Sequence, residues 1–306
     1  MTAPITILIP TFNRRRALST VLPSYLSQSG VARVIVVDDG STDGTEQMVE
    51  EIARRSAIPL TVIRHATRRG QPAARLTAIA ASDTEWVLFG EDDVWLDNDY
   101  CGVLLRDAQA LDASIIGGRS VTGFVPAEFS EELLVDPPSP EVHPDRVFDL
   151  TSMEADFAAR VREPVRAPFL HTWALINRRV FEKVSFDTWY TGNSWREETD
   201  FYLAANAAGE KVYFTPNTVS FHLRGPICAT GGQRINRVRF EYLAWRNTRY
   251  LVSKHWSYLK RAHGMRGSAL RWMLRYYLNR ELGLLRRAAR SGLSSSFRGR
   301  PQPSGI

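Results

Sequence analysis

Three acidic clusters in this chain stand where strands should run out. Asp38-Asp39 follows residues 33–37, Glu91-Asp92-Asp93 follows residues 86–89, and Glu197-Glu198-x-Asp200 precedes a helical run. Carboxylates packed together repel one another and are costly to desolvate, so they belong where a cation or a polar ligand neutralises them. Behind the apolar strand 86–89 they suit Mg²⁺ or Mn²⁺, hard cations that take one or two protein carboxylates and fill the rest with phosphate oxygens and water. A solvent-facing acidic turn is the bland alternative. Residues 36–45 read as a strand, a tight glycine turn and a helix start. An Asp there accepts hydrogen bonds from a base N–H or from ribose hydroxyls, or else Asp38 or Asp39 merely caps the turn and complements the helix dipole. Together the clusters point to an enzyme that handles a metal and a nucleotide.

The elements that must hold these groups are legible as well. Short runs rich in β-branched or aromatic residues predict buried strands at 5–10, 34–38, 60–64 and 86–89, with helices over 15–28, 45–57 and 72–82 between them. Pro72 suits a first helical turn, and residues 41–45 offer several N-caps. This alternation predicts a doubly wound, mostly parallel α/β sheet with helices on both faces, whose carboxyl strand ends gather the acidic clusters. Further strands are expected at 114–118 and 172–177, then a helix over 198–208 closed by Gly209, then two short strands at 211–214 and 218–222 around Pro216-Asn217. Residues 123–168 carry seven prolines, and 126–149 reads as a long loop of the kind that serves as a lid or binding segment.

Four motifs in order, Ile9-Pro10-Thr11-Phe12-Asn13-Arg14, Val37-Asp38-Asp39-Gly40-Ser41-Thr42-Asp43, Gly70-x-x-x-Ala74-Arg75 and Glu91-Asp92-Asp93, resemble family 2 glycosyltransferases over about residues 4–225. The resemblance implies a GT-A fold and inverting transfer of a sugar from a nucleoside diphosphate donor, a UDP- or dTDP-sugar. It implies a nucleotide site built from Pro10, Thr11, Phe12, Arg14, Asp38 and Asp39, with Arg75 beside the nucleotide, Asp92 near the ribose and Asp93 on a Mn²⁺ or Mg²⁺ ion. Many members carry Asp two places before Asp92; Gly90 stands there in this chain, one candidate ligand fewer. Trp195-Arg196-Glu197-Glu198-Thr199-Asp200 resembles the family's later acidic motif. Inverting transfer needs a general base for the acceptor hydroxyl, and the likeness puts Glu198 in that role with Glu197 as its rival, while Asp200 orients a neighbour or meets the acceptor. His222 approaches the metal or diphosphate by the same likeness. Arg224 offers charge-assisted bonds to the diphosphate, and His171, Trp173 and Trp195 shape an acceptor pocket, core packing being the alternative for Trp173.

Charge divides the chain. Residues 1–232 hold 22 Lys+Arg against 31 Asp+Glu, and residues 233–306 hold 17 against 2. An acidic body with a basic tail implies an anionic partner, or else a solvated basic face. From 234 the tail reads as two helical pieces separated near Gly264 and Gly267, with Trp and Tyr among the arginines. That composition suits a water–lipid interface; nothing resembles a helix that reads nucleic acid, so no nucleic acid partner is expected. The expected organisation is a catalytic domain over 1–232, a basic aromatic-rich extension over 233–290 on an anionic membrane surface, and a disordered tail over 291–306. Two cysteines without ligand spacing, no signal-peptide pattern and no long apolar run fit a cytoplasmic protein held peripherally on the inner membrane face. Its acceptor would then be a lipid-linked or cell-envelope glycan. A sugar-phosphate nucleotidyltransferase would carry a glycine-rich phosphate loop that residues 5–16 lack; a non-catalytic carbohydrate- or membrane-binding relative is the third reading.

Overall fold

Every residue of the first strand, β1 (Ile5–Thr11), is buried, with Ile5, Ile7 and Ile9 in one hydrophobic layer and Leu8 in the other. A strand covered on both faces belongs inside an α/β sheet. The computed structural model, which describes residues 4–231, 236–280 and 282, places it there. β2 (Val31–Asp38) pairs parallel with β1 and with β3 (Leu60–Arg64) beyond it, and β4 (Trp86–Phe89) runs parallel on the other flank. The chain thus reverses its path across the sheet between β1 and β4, and ligands bind outside the strand ends at such a switch point. Thr11 and the Glu91-Asp92-Asp93 turn both emerge at this crevice.

Past β4 the sheet becomes mixed. β10 (Leu175–Asn177) runs antiparallel between β4 and β6 (Ile115–Phe124). β11 (Val212–Arg224) lies parallel to β6, and β5 (Val94–Leu96) closes the edge antiparallel to β11. Short β9 (Val165–Arg166) also pairs with β11, while β7 (Phe148–Asp149) and β8 (Glu154–Ala155) form a separate ribbon. Helices α1 (Arg15–Leu26), α2 (Thr45–Ala53) and α4 (Tyr100–Leu111) pack on one face, and α3 (Gln71–Ala81), α5 (Glu197–Ala207) and α6 (Arg237–His263) on the other. Leu251, Val252 and Leu259 of α6 share a layer with Phe201 and Leu203 of α5. Gly264 closes α6 at φ +64, and residues 269–280 form a second helical run. Residues 291–306, expected to be disordered, lie outside the described residues.

Several expectations change in detail. The two strands foreseen around Pro216-Asn217 are one, β11, whose register against β6 slips between Phe214 and Val219. Pro216 sits in that irregularity, where a missing N–H breaks no ladder bond. The strand expected at 114–118 continues to Phe124, whereas the one at 172–177 shortens to β10 because His171, Thr172 and Trp173 leave the ladder to line a cavity. α4 was not foreseen, although its buried Tyr100, Cys101, Leu104, Leu105 and Ala108 carry the helical period. The proline-rich loop contains two single 3₁₀ turns, at Glu131–Leu133 and Pro144–Arg146, and Arg119 pins it by donating to both oxygens of Asp136 at 2.7 and 3.0 Å.

Gly90 has a physical cause. A Cβ there would lie 2.8 Å from Tyr25 Cε1 and 2.9 Å from Ile9 Cγ1. Tyr25 cannot easily step aside: its hydroxyl donates to the Glu91 carbonyl at 3.0 Å and accepts from the Glu91 N–H at 3.1 Å. The space an Asp would need is filled by α1. Gly90→Ala should therefore lower stability by about 1–3 kcal/mol through overpacking, measured by urea unfolding; an unchanged midpoint would mean that Tyr25 yields freely.

Candidate active site

The loops after β1 and β2 are zipped together. The Asn13 N–H donates to Ser41 Oγ at 2.8 Å, and the Thr42 N–H donates to Asn13 Oδ1 at 2.7 Å. Asp38 belongs to this framework: it is fully buried, accepts from the Ser41 N–H at 2.8 Å and caps the turn without reaching a cavity. Asp39 does reach one. Its carboxylate accepts from the Arg69 and Gly70 N–H groups, both at 2.8 Å, and pairs with His65 Nδ1 at 2.7 Å. It thereby shapes the loop that lays the Arg68 guanidinium 4.1 Å from the centre of the Phe12 ring.

A cavity of about 250 Å³ opens at the switch point, and its wall includes Pro10, Thr11, Phe12, Arg14, Asp39 and Arg68. Thr11 Oγ1 donates to Asp92 at 2.8 Å, and Arg14 lies 3.1 Å from Asp93 and 3.6 Å from Asp92. The three consecutive acids titrate apart. Burial pushes the Asp92 carboxyl up to about 7 against the pull of Arg14, and burial together with the Asp93 charge raises Glu91. Burial acts upward on Asp93 too, but the hydrogen bond and charge of His222, with Arg14 and Arg224, outweigh it and hold Asp93 below its usual range.

Glu91, Asp93 and His222 each present a ligand atom within 4.8 Å of the others, with His222 Nε2 3.4 Å from Asp93 Oδ1. Two carboxylates and one imidazole converging within ligand distance fit a divalent cation of the Mg²⁺/Mn²⁺ type. Arg224, next to His222 on the exposed side, borders the same cavity.

A second cavity of about 700 Å³ adjoins the first, sharing Gln71, Glu91, Asn193 and His222 with it. Glu198, His171, Trp173 and Trp195 line it. The Trp173 indole N–H donates to Ser220 Oγ at 2.6 Å, and the His171 ring stacks on Trp173 with centroids 4.5 Å apart. Burial lowers His171 to about 4 despite its 2.8 Å bond to the Gly118 carbonyl, so the ring is neutral near pH 7.

Three expected site residues turn inward instead. Arg75 is buried and borders neither cavity. Its guanidinium bonds Glu197 at 2.9 Å and Glu91 at 3.4 Å, so it stands behind the site rather than beside a nucleotide. Glu197 is spent on that pair; burial pushes its carboxyl up to about 8 while Arg75 pulls it down. Of the two adjacent glutamates, Glu198 alone borders a cavity. Asp200 is buried and accepts from Tyr190 Oη at 3.2 Å and Lys254 Nζ at 2.8 Å, with His255 Nε2 at 2.8 Å. It joins α5 to α6 and borders neither cavity. Conversely, Gln71, Asn193 and Arg68 line the site unforeseen, Gln71 at an unspecified position of its motif and the others in loops, and Glu91 presents a carboxylate oxygen to Asp93 and His222 that the adjacent Asp pair had overshadowed.

Residues 6–185 match the profile described as Glycosyl transferase family 2. The chain belongs to that family. It is 32% identical over 108 residues to the putative glycosyltransferase EpsH of Bacillus subtilis, covering 35% of this chain and 31% of EpsH. It is 22% identical over 222 residues to the glycosyltransferase GlyA of Streptococcus pneumoniae, covering 72% of this chain and 30% of GlyA. The matched stretches thus span about a third of those relatives' length. Among solved structures, Staphylococcus aureus TarS in complex with UDP-GlcNAc superposes with a TM-score of 0.56 at 15% identity, over 81% of this chain and 66% of that one. GalNAc-T7 with UDP, GalNAc and Mn²⁺ superposes at 0.61 and 15% identity, over 82% of this chain and 48% of that one. The shared architecture is the GT-A fold.

The placement of Asp200 has a measurable consequence. Asp200→Ala leaves His255 and the Tyr190 hydroxyl without their buried partner, while Lys254 keeps only Asp187, and should cost about 3 kcal/mol of stability in urea unfolding. A variant as stable as the parent would return Asp200 to the list of acids held for chemistry.

Proposed function

We propose that this family 2 member transfers a glycosyl group, with inversion, from a nucleoside diphosphate sugar to a hydroxyl of a cell-envelope or lipid-linked glycan. One observation carries the reading: the Glu91–Asp93–His222 cluster and Glu198 border adjoining cavities that meet at Gln71, Asn193, Glu91 and His222. A donor diphosphate in the first cavity and an acceptor hydroxyl in the second would meet at that junction. The UDP-GlcNAc of TarS and the UDP and Mn²⁺ of GalNAc-T7 support a uridine donor and manganese; dTDP is the next candidate. TarS, named as a poly(ribitol-phosphate) β-N-acetylglucosaminyltransferase, supports an envelope polymer as acceptor.

A divalent cation held by Glu91, Asp93 and His222 would supply Lewis-acid stabilisation of the leaving diphosphate. Phe12, with Arg68 stacked on it, and Asp39 receive the base and ribose, and Asp92 approaches the ribose across Thr11. Arg14 and Arg224 add fixed positive charge where the diphosphate's negative charge grows. Glu198 accepts the proton of the acceptor hydroxyl as its oxygen bonds to the anomeric carbon, and the bond from that carbon to the diphosphate breaks on the opposite side. Glu198 sits in the first turn of α5, a rigid position from which its side chain reaches the second cavity. Neutral His171, Trp173 and Trp195 wall the acceptor and limit water. The basic segment 233–290 holds the enzyme peripherally on the inner membrane face; among the described residues no helix is long and apolar enough to cross a membrane.

Glu198→Gln should lower turnover by about 10²–10⁴-fold while calorimetry shows UDP still bound in the presence of Mn²⁺. Asp93→Ala, or chelation of the metal, should abolish Mn²⁺-dependent UDP binding. Full turnover in the first variant together with unchanged Mn²⁺-dependent binding in the second would overturn the mechanism.

A further inference from the structure

Most aromatics of the basic C-terminal run are turned inward. Trp256, Tyr258 and Trp272 pack against the core layer that contains α5, Tyr250 stacks on Trp189 at 3.9 Å, and buried Tyr276 meets Arg196 through its hydroxyl. Tyr242 and Trp245 on α6 are exceptions. The outward face of the second helical run is aliphatic instead. Leu270, Leu274 and Leu278 are 64, 59 and 62% exposed, with Tyr277 among them at 38%, and Leu282, four residues past Leu278, is 49% exposed. Steps of four residues keep these side chains along one side of a helix.

Single exposed leucines are ordinary on a soluble surface, but several aligned on one helix face form a patch that calls for a partner. This face is not a core face turned the wrong way, because the opposite side is already engaged. Ala269, Trp272 and Met273 pack on the core, Tyr276 meets Arg196, and Arg280 donates to Glu241 at 3.0 Å. Arg271 and Arg275 are exposed and lie beside the leucines along the helix. From residue 242 to residue 280 the chain has nine Lys and Arg and no Asp or Glu.

We infer that the Leu270, Leu274, Tyr277, Leu278 and Leu282 face, with Arg271 and Arg275 beside it, is an interfacial docking surface for an anionic lipid bilayer. The inference rests on the peripheral attachment proposed above and names the surface responsible. Leucines enter the headgroup–acyl boundary while the arginines meet lipid phosphates, the arrangement of a helix lying in the membrane plane. A second copy of the chain fits the same face poorly. Two-fold pairing would set this basic face, with Arg271 and Arg275 and no acid from residue 242 to residue 280, against a second copy of itself, and five side chains along about 18 Å of helix fall short of the roughly 800 Å² per partner of a standard interface. Single-stranded nucleic acid would want outward aromatic platforms, and this helix offers one tyrosine.

The test is flotation of the full chain with vesicles of phosphatidylcholine alone or with about 30% phosphatidylglycerol, at low salt and at about 0.5 M NaCl. The parent should float with the anionic vesicles and less so in high salt. Leu274→Glu/Leu278→Glu should reduce the bound fraction by about tenfold or more with its melting temperature and UDP binding unchanged. Arg271→Glu/Arg275→Glu should lose the preference for anionic lipid. A parent that never floats refutes membrane attachment altogether, whereas a parent and leucine variant that float equally refute this surface alone. A dimer in light scattering that the leucine variant converts to monomer would reassign the face to self-association. Retention by single-stranded DNA in place of vesicles would reassign it to nucleic acid. Donor turnover is read separately, so failure of the catalytic proposal is distinguishable from all of these.

Discussion

One buried guanidinium sets the geometry of the site. Arg75, from α3, reaches Glu197 at the start of α5 and Glu91 in the turn after β4, and so joins those two walls. A buried cation without partners would be prohibitively costly, and two buried carboxylates facing each other would be worse. Each is tolerable because the others are present. The rings of Phe89 and Phe186, 5.7 and 5.3 Å from the guanidinium carbon, exclude water from the pairing. The planar fork of an arginine can hold two acids in fixed directions, which a lysine point charge cannot. Glu197 is thereby drawn inward, and its neighbour Glu198 is left facing the second cavity.

The C-terminal helices reinforce the same wall from outside. Asp200 is clasped by Lys254 and His255, the Asn247 side chain donates to the Trp195 carbonyl at 3.0 Å, and Arg246 donates to Thr191. Arg196, in the left-handed conformation at φ +74 just before α5, donates to the Met153 carbonyl and to the Tyr276 hydroxyl. Segments far apart in the chain therefore converge on residues 191–200, which flank Glu198 on both sides. The basic extension is structurally part of the wall of the second cavity, whatever else its outer face does.

The parallel half of the sheet was legible in the sequence, with β3 and β4 at their expected bounds, β2 starting three residues earlier and α2 ending four residues sooner, since alternating short apolar runs and helical periods are local signals. The mixed half was harder. β5 and β10 have only three residues each, and their strand character comes from neighbours rather than from their own composition. In the site, Thr11, Phe12, Arg14, Asp39, Asp92, Asp93, Glu198 and His222 all border one of the two cavities, while Asp38, Arg75, Glu197 and Asp200 border neither. Arg75, Glu197 and Asp200 face inward because each has a strong partner brought from elsewhere in the chain, which no local pattern announces, whereas Asp38 caps its own turn, the alternative its place after the strand already offered.

The sequence by itself determined the order of strands and helices near the site and the presence of acids at three strand or helix ends, because hydrophobic period and turn chemistry act over a few residues. Only the tertiary structure decided which acid of each cluster meets the cavity. Neighbouring positions in a turn or a first helical turn point in different directions, and the choice among them is made by Arg75, Tyr25, Lys254 and His255, side chains brought there from elsewhere in the fold.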